Sequence, residues 1–171
     1  AVQAVRAAGF EPGQVHLQAS YGVMNGETQG FDYARVGIAL YGVLSDAAST
    51  VRRLPLRPAL ALRARVASVR QLKPGQGAGY GLAFVAQRPT RLACVTIGYA
   101  DGVPRDFALR GGQVLIGGQR AQAVGRVCMD QMLVDVTEVK EVRPGSVVTL
   151  IGTDGGQTLR AEEFAAVCGT I

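Results

Sequence analysis

The chain has 171 residues, 48% of them hydrophobic, with a formal net charge of +5, three cysteines and one histidine. That length and apolar content support a folded core and exclude a disordered or low-complexity chain. No unbroken apolar run approaches the ~20 residues of a membrane span, and the first residues, AVQAVRAAGF, lack the layout of a signal peptide.

Helix comes first: Val2, Val5 and Ala8 share one helical face, and Gly9 is placed to stop it. QVHLQAS then reads as a short strand, YGVMNGETQG as turn and short-helix material, and FDYARVGIALYG as a buried strand running into glycine-flanked turns. Helix, strand, helix, strand is the rhythm of α/β architecture, but two strands complete neither a barrel nor a doubly wound sheet. Residues 1–48 therefore read as the last βα units of a larger (β/α) barrel.

Composition shifts near residue 49. Residues 1–49 hold two arginines and four acids, whereas residues 50–171 hold 16 basic and nine acidic side chains, and the small polar stretch SDAASTVRRLP lies between. From 49 to 171 the pattern is that of a mainly antiparallel β domain. The runs ALRARVASVRQL, RLACVTIGYA, QVLIGGQRAQAVGRV, QMLVDVTEV and SVVTLIG are punctuated by Pro74-Gly75, Gly117-Gly118 and Pro144-Gly145. TLRAEEFAAVCG closes it as a helix, with Thr158 as cap and Gly169 as stop.

The basic residues are dispersed, and LRARVASVR reads as one solvated strand face. A general pull on small anions is expected, not a nucleic-acid groove. Cys94, Cys128 and Cys168 have no metal-ligand spacing and His16 cannot complete a zinc set with them, so free thiols in a reducing compartment and no metal are expected.

Several residues stand out chemically. Ser20 and the amides of Gly37 and Ile38 end strands where a barrel binds phosphate, although serine and glycine are also ordinary turn residues. Arg35 lies inside an apolar strand and needs a partner there, either Asp32 or a ligand with His16 behind it. In GAGYGLAF, Tyr80 is flanked by Gly79 and Gly81, which implies crowding or positive φ beside an exposed phenol. Tyr80 and Tyr99 are acid–base candidates only where nearby positive charge lowers a phenol from its usual value of about 10. Met129 and Cys128 of GRVCMDQM read as core residues beside the turn acid Asp130, with Arg105 and Arg126 close in sequence to these stretches.

Taken in order, HLQAS, RVGIALYG, GYGLAF, IGYADGVPR and GRVCMDQMLVDV resemble the alanine racemase family, fold-type III pyridoxal phosphate enzymes, from about His16 to Ile151. Within the family the chain is most similar to alanine/serine racemases, including the racemase domain of the membrane-bound serine racemases of vancomycin-resistance clusters. The resemblance implies that Ser20 and the amides of Gly37 and Ile38 hold the cofactor phosphate. Arg35 would face the pyridine nitrogen, with His16 orienting it. Tyr80 would be the base on one face of the substrate Cα, reaching across a homodimer interface into the partner's site. Tyr99 would line the inner entrance, Met129 would offer its amide to the substrate carboxylate, and Arg105, Arg126 and Asp130 would line the corridor.

The family's second base is the lysine that carries the cofactor. The only lysines here, Lys73 and Lys140, sit in turn contexts of the β domain. The expectation is a part of an alanine or serine racemase that is inactive alone, located in the cytoplasm, with any membrane attachment supplied by a domain outside these residues. A noncatalytic dimerisation or binding module derived from a racemase is the alternative, and a broad-specificity racemase of the same fold type is another.

Overall fold

The computed structural model describes residues 1–26, 30–46, 48–52 and 54–170. They divide into two compact units, Ala1–Ala59 and Leu60–Ile171. Residues 27–29 of the expected turn after Asn25, and Ala47 and Arg53 of the expected linker, lie outside the described residues.

The first unit opens with α1 (Val2–Ala7). Gly9, at φ 84°, sends its amide to Arg6, and the Phe10 amide reaches Val5, so a left-handed glycine ends the helix just beyond its last residue. Strand β1 (His16–Ala19) leads directly into α2 (Ser20–Asn25). Strand β2 (Tyr33–Arg35) pairs with β1 in parallel, with His16 opposite Tyr33 and Ala19 opposite Arg35. A 3-10 turn, Ile38–Tyr41, follows.

The buried strand expected over FDYARVGIALYG is corrected here. Only three of its residues form strand, all three exposed, and the apolar IALY segment is the 3-10 turn. The reason is physical: within this unit β2 has a single strand neighbour, so its side chains lack the cover that a wider parallel sheet receives on both faces.

The second unit is a closed sheet. Its long strands are β3 (Leu62–Leu72), β6 (Thr90–Val95), β7 (Gln113–Ile116), β8 (Gln119–Val124), β9 (Met132–Asp135) and β10 (Val147–Asp154), and the short hairpin β4 (Gly77–Ala78) and β5 (Phe84–Val85) lies between β3 and β6 in the chain. The order is β11-β10-β3-β6-β9-β8-β7, where β11 is Gln157–Leu159, and β7 also pairs with β10. That last antiparallel pairing removes the free edges of β7 and β10 and makes a barrel. Alternate residues point inward: Val114 and Ile116 of β7, Val134 of β9, and Val148 and Leu150 of β10 join Val95, Val136 and Phe107 in one core.

The turn residues read from the sequence do what their chemistry requires. Gly117 and Gly118 both have positive φ, the primed turn that matches the twist of the β7–β8 hairpin. Gly75 and Gly145 follow prolines in turns closed by Gln76 to Lys73 and Ser146 to Arg143 amide bonds. Helix α3 (Ala161–Cys168) ends at Gly169 in the left-handed region. Its start differs from expectation: Thr158 lies in β11 opposite Thr153, and the helix begins after Arg160, whose amide is accepted by the Glu163 carboxylate at 3.1 Å. The strand ladder outcompeted the hydroxyl cap because its pairing runs to Leu159.

Candidate active site

Two clusters of candidate residues form, one in each unit. In the first, the chain passes from β1 into α2 at Ser20, whose side chain is 5% exposed. Its Oγ accepts the Gly37 amide at 2.9 Å and the Ala39 amide at 3.4 Å. A serine hydroxyl has two lone pairs and one proton, so with both lone pairs taken the O–H is left to donate. The Ile38 amide has no hydrogen-bond partner among the described residues, and a Cβ placed at Gly37 would meet nothing within 4 Å. An O–H and an N–H donor beside an open glycine fit a phosphate group. The Gly37 amide itself is engaged with Ser20.

Arg35 is exposed, and its Nη2 donates to the Leu17 carbonyl at 3.1 Å. The expectation of a guanidinium buried in an apolar strand is therefore corrected, for the same reason that β2 is uncovered. Asp32 is not its partner; that carboxylate accepts the Val15 amide at 2.7 Å. His16 lies on β1 and makes no hydrogen bond to Arg35.

In the second unit Tyr80 begins a 3-10 turn, Tyr80–Leu82, that follows β4. Gly79, Gly81 and Leu82 all have positive φ, at 79°, 68° and 49°. The glycines take this at no steric cost, and since a Cβ on Gly81 would meet only the movable tip of Arg126 at 3.0 Å, backbone conformation is what explains the glycines read from the sequence. Tyr80 itself is 64% exposed.

Tyr99 starts another 3-10 turn, Tyr99–Asp101, and this loop is laced to residues 127–131. The Tyr99 amide donates to the Cys128 carbonyl and the Ala100 amide to the Met129 carbonyl, both at 3.0 Å; the Val127 amide returns to Arg105 at 3.1 Å. Gly98 permits this approach, because a Cβ there would lie 2.2 Å from the Met129 carbonyl oxygen. The Arg105 guanidinium stands 5.7 Å from the Tyr80 ring centre and 5.9 Å from that of Tyr99. The structure thus brings together Tyr80, Tyr99, Arg105, Arg126 and the Met129 backbone. Asp130 is exposed next to them, and Met129 is 54% exposed, against its reading as core, because its side chain leaves the laced loop outward.

Sequence reasoning passed over Gly98, Asp101 and Leu82. Asp101 accepts the Gly98 amide at 2.9 Å, and a carboxylate three residues after a turn-starting glycine is a legible capping signal. Leu82 carries no such signal, since nothing in its side chain favours positive φ. Behind Tyr80 lies a groove of about 570 Å³ lined in part by Arg70, Leu72, Cys94, Arg126, Cys128 and Gln131. Burial pushes the Cys94 thiol above its ordinary value, with nearby Arg70 acting in the opposite direction. Cys94 Sγ donates to Gln131 Oε1 at 3.2 Å.

Fold and cluster together define a β-barrel domain that presents two tyrosines around a shared arginine; the α/β unit, taken by itself, carries a turn whose donors fit a phosphate. A family model described as "Alanine racemase, C-terminal domain" matches residues 59–171, and one described as "Alanine racemase, N-terminal domain" matches residues 1–45. The chain belongs to the alanine racemase family. It is 39% identical over 171 residues to an alanine racemase of Synechocystis sp., covering 100% of this chain and 45% of that protein. An amino-acid racemase of Enterococcus faecalis is 42% identical over 161 residues, which is 94% of this chain and 22% of that protein. Among solved structures, the alanine racemase of Bacillus anthracis with bound L-Ala-P superposes with a TM-score of 0.83 at 36% identity, over 99% of this chain and 43% of that one. The alanine racemase of Enterococcus faecalis superposes with a TM-score of 0.81 at 36% identity, over 99% of this chain and 45% of that one. The chain spans less than half the length of each of these relatives.

Proposed function

We propose that these residues serve an amino-acid racemase that interconverts the enantiomers of alanine, and of serine, with pyridoxal phosphate. In this reading residues 1–48 are the end of its cofactor-binding barrel and residues 49–171 its β domain. When bound, the cofactor supplies an electron sink for negative charge at the amino acid's Cα.

Ser20 donates its hydroxyl proton to the phosphate, joined by the Ile38 amide, with Gly37 keeping the approach open. Arg35 faces the pyridine nitrogen. Its guanidinium keeps its protons at any working pH, so it supplies hydrogen bonding and positive charge but transfers no proton, which favours simple exchange at Cα. His16 lies one strand over, and the bond that orients Arg35 here is its donation to the Leu17 carbonyl. The observation that carries the reading is the exposed phenol of Tyr80, set on a rigid glycine turn with its hydroxyl unpartnered among the described residues. There it takes a proton from Cα, or returns one, on a single face. A second base on the opposite face then makes the exchange a racemisation.

Met129 offers its amide to the substrate carboxylate, Tyr99 narrows the inner entrance, and Arg105, Arg126 and Asp130 line the approach, where the arginines draw carboxylates inward. Tyr80 acts in a homodimer, serving the partner's cofactor. Lys73 and Lys140 are not the cofactor-carrying amine, and the 171 residues alone do not racemise. The location is cytoplasmic, with membrane attachment only through a domain outside these residues. The likeness to an enterococcal protein named an amino-acid racemase supports racemisation of an amino acid.

The test is a racemisation and solvent-exchange assay of the full-length product with both amino acids, using this chain alone as the inactive control. Tyr80→Phe lowers Cα proton exchange from one enantiomer by roughly 10²-fold or more and leaves cofactor bound. Equal loss for both enantiomers contradicts the one-face assignment. A full-length product that racemises neither amino acid favours the alternative, a noncatalytic module built on a racemase fold.

A further inference from the structure

We propose that Arg105 is a positioning residue that clamps Tyr80 and Tyr99 as a pair, so that the orientation of the base is set by the same cation that holds the entrance tyrosine. The inference rests on the reading of Tyr80 as the base. The Tyr80 ring is exposed, and the Tyr80 hydroxyl and ring have no hydrogen bond among the described residues. What the ring does have is the Arg105 guanidinium 5.7 Å from its centre, and the same guanidinium lies 5.9 Å from the centre of Tyr99. A cation attracts the negative face of an aromatic ring within about 6 Å, so one charge is shared between two rings.

Each end of the arrangement is tied to the barrel. Arg105's carbonyl accepts the Val127 amide and Tyr99's amide donates to Cys128, which anchors both to the loop before β9. Tyr80 sits on its own turn, whose Leu82 amide closes onto Gly79. Two loops, the Tyr80 turn and the Tyr99–Arg105 segment, therefore meet at the Arg105 side chain, and the second is fastened to residues 127–128 through its backbone. Arg105 restricts the Tyr80 ring, while leaving its hydroxyl free for proton transfer, and it transmits any displacement of Tyr99 to Tyr80.

The test uses 3-fluorotyrosine in the full chain, with the Tyr80 and Tyr99 fluorine resonances assigned by single Tyr→Phe variants. Arg105→Met keeps bulk and removes charge; it is expected to shift and broaden the Tyr80 resonance, whereas Arg105→Lys keeps a cation and retains most of the original line shape. Tyr99→Leu is expected to move the Tyr80 resonance when Arg105 is present and not in Arg105→Met. In the full-length racemase Arg105→Met is expected to lower kcat several-fold, with partial rescue by lysine. A Tyr80 resonance indifferent to Arg105→Met in a protein of unchanged thermal midpoint overturns the clamp. Should Arg105→Met not fold, Tyr99→Leu alone decides, and an unmoved Tyr80 resonance overturns it. Failure of the base assignment is separate: Tyr80→Phe would then leave exchange unchanged, while the fluorine coupling stays.

Discussion

Phe107 in the barrel unit is 1% exposed and stacks on Phe164 with ring centres 5.3 Å apart, whereas Phe10 in the α/β unit is 70% exposed. The same contrast separates Val95 or Ile116 from Leu17 or Val51. A sheet that closes through β7 and β10 satisfies its own edges and encloses its inward side chains. A parallel pair of short strands does neither. Within these 171 residues the buried apolar side chains are concentrated in the barrel unit, and the phosphate-fitting turn is held by local bonds around Ser20.

The largest expected effect breaks this contrast directly. Phe107→Ala is expected to destabilise the chain by about 3–5 kcal/mol, while Phe10→Ala changes it by less than about 0.5 kcal/mol. Urea unfolding followed by circular dichroism measures both; similar losses would show that the units share their stability. A smaller effect of opposite sign is expected at Thr149, 1% exposed, whose hydroxyl has no hydrogen-bond partner among the described residues. Thr149→Val removes a buried polar group at nearly constant shape and is expected to raise stability by about 1 kcal/mol, read from the shift in urea midpoint. No gain would mean the hydroxyl has found a partner.

The smallest concerns pH. The Arg160 amide first, with help from the Arg120 guanidinium at 2.9 Å, holds the Glu163 carboxyl below the usual carboxylate range, against the opposing effect of partial burial. A carboxyl lowered in the folded state contributes stability at neutral pH that is lost as the pH falls through its folded value. The contribution is small because the group is largely in water. The difference in thermal midpoint between the native chain and Glu163→Gln is expected to be largest near neutrality and to vanish in acid. A difference that persists at low pH assigns it to helix packing instead of charge.

Much of the barrel was legible because its signals are local. Alternating runs, paired glycines at 117–118, and proline–glycine turns at 74–75 and 144–145 each act within a few residues. The helix start was not, because Thr158 had two possible partners and only the strand opposite it decides which wins. The candidate site divides in the same way. Glycines around Tyr80 announced a constrained backbone, and the five motifs in order announced the family. The sharing of Arg105 between Tyr80 and Tyr99 was invisible, since these residues come from two separate loops.

From the residues alone follow the antiparallel character of the larger unit and the glycine turns at 74–75, 117–118 and 144–145, because propensity and spacing act through the backbone within a turn or two. Closure of the sheet by β7 on β10, exposure of Arg35, the clash that reserves Gly98 for glycine and the convergence on Arg105 depended on the fold, because each is set by groups tens of residues apart whose distances no local preference controls.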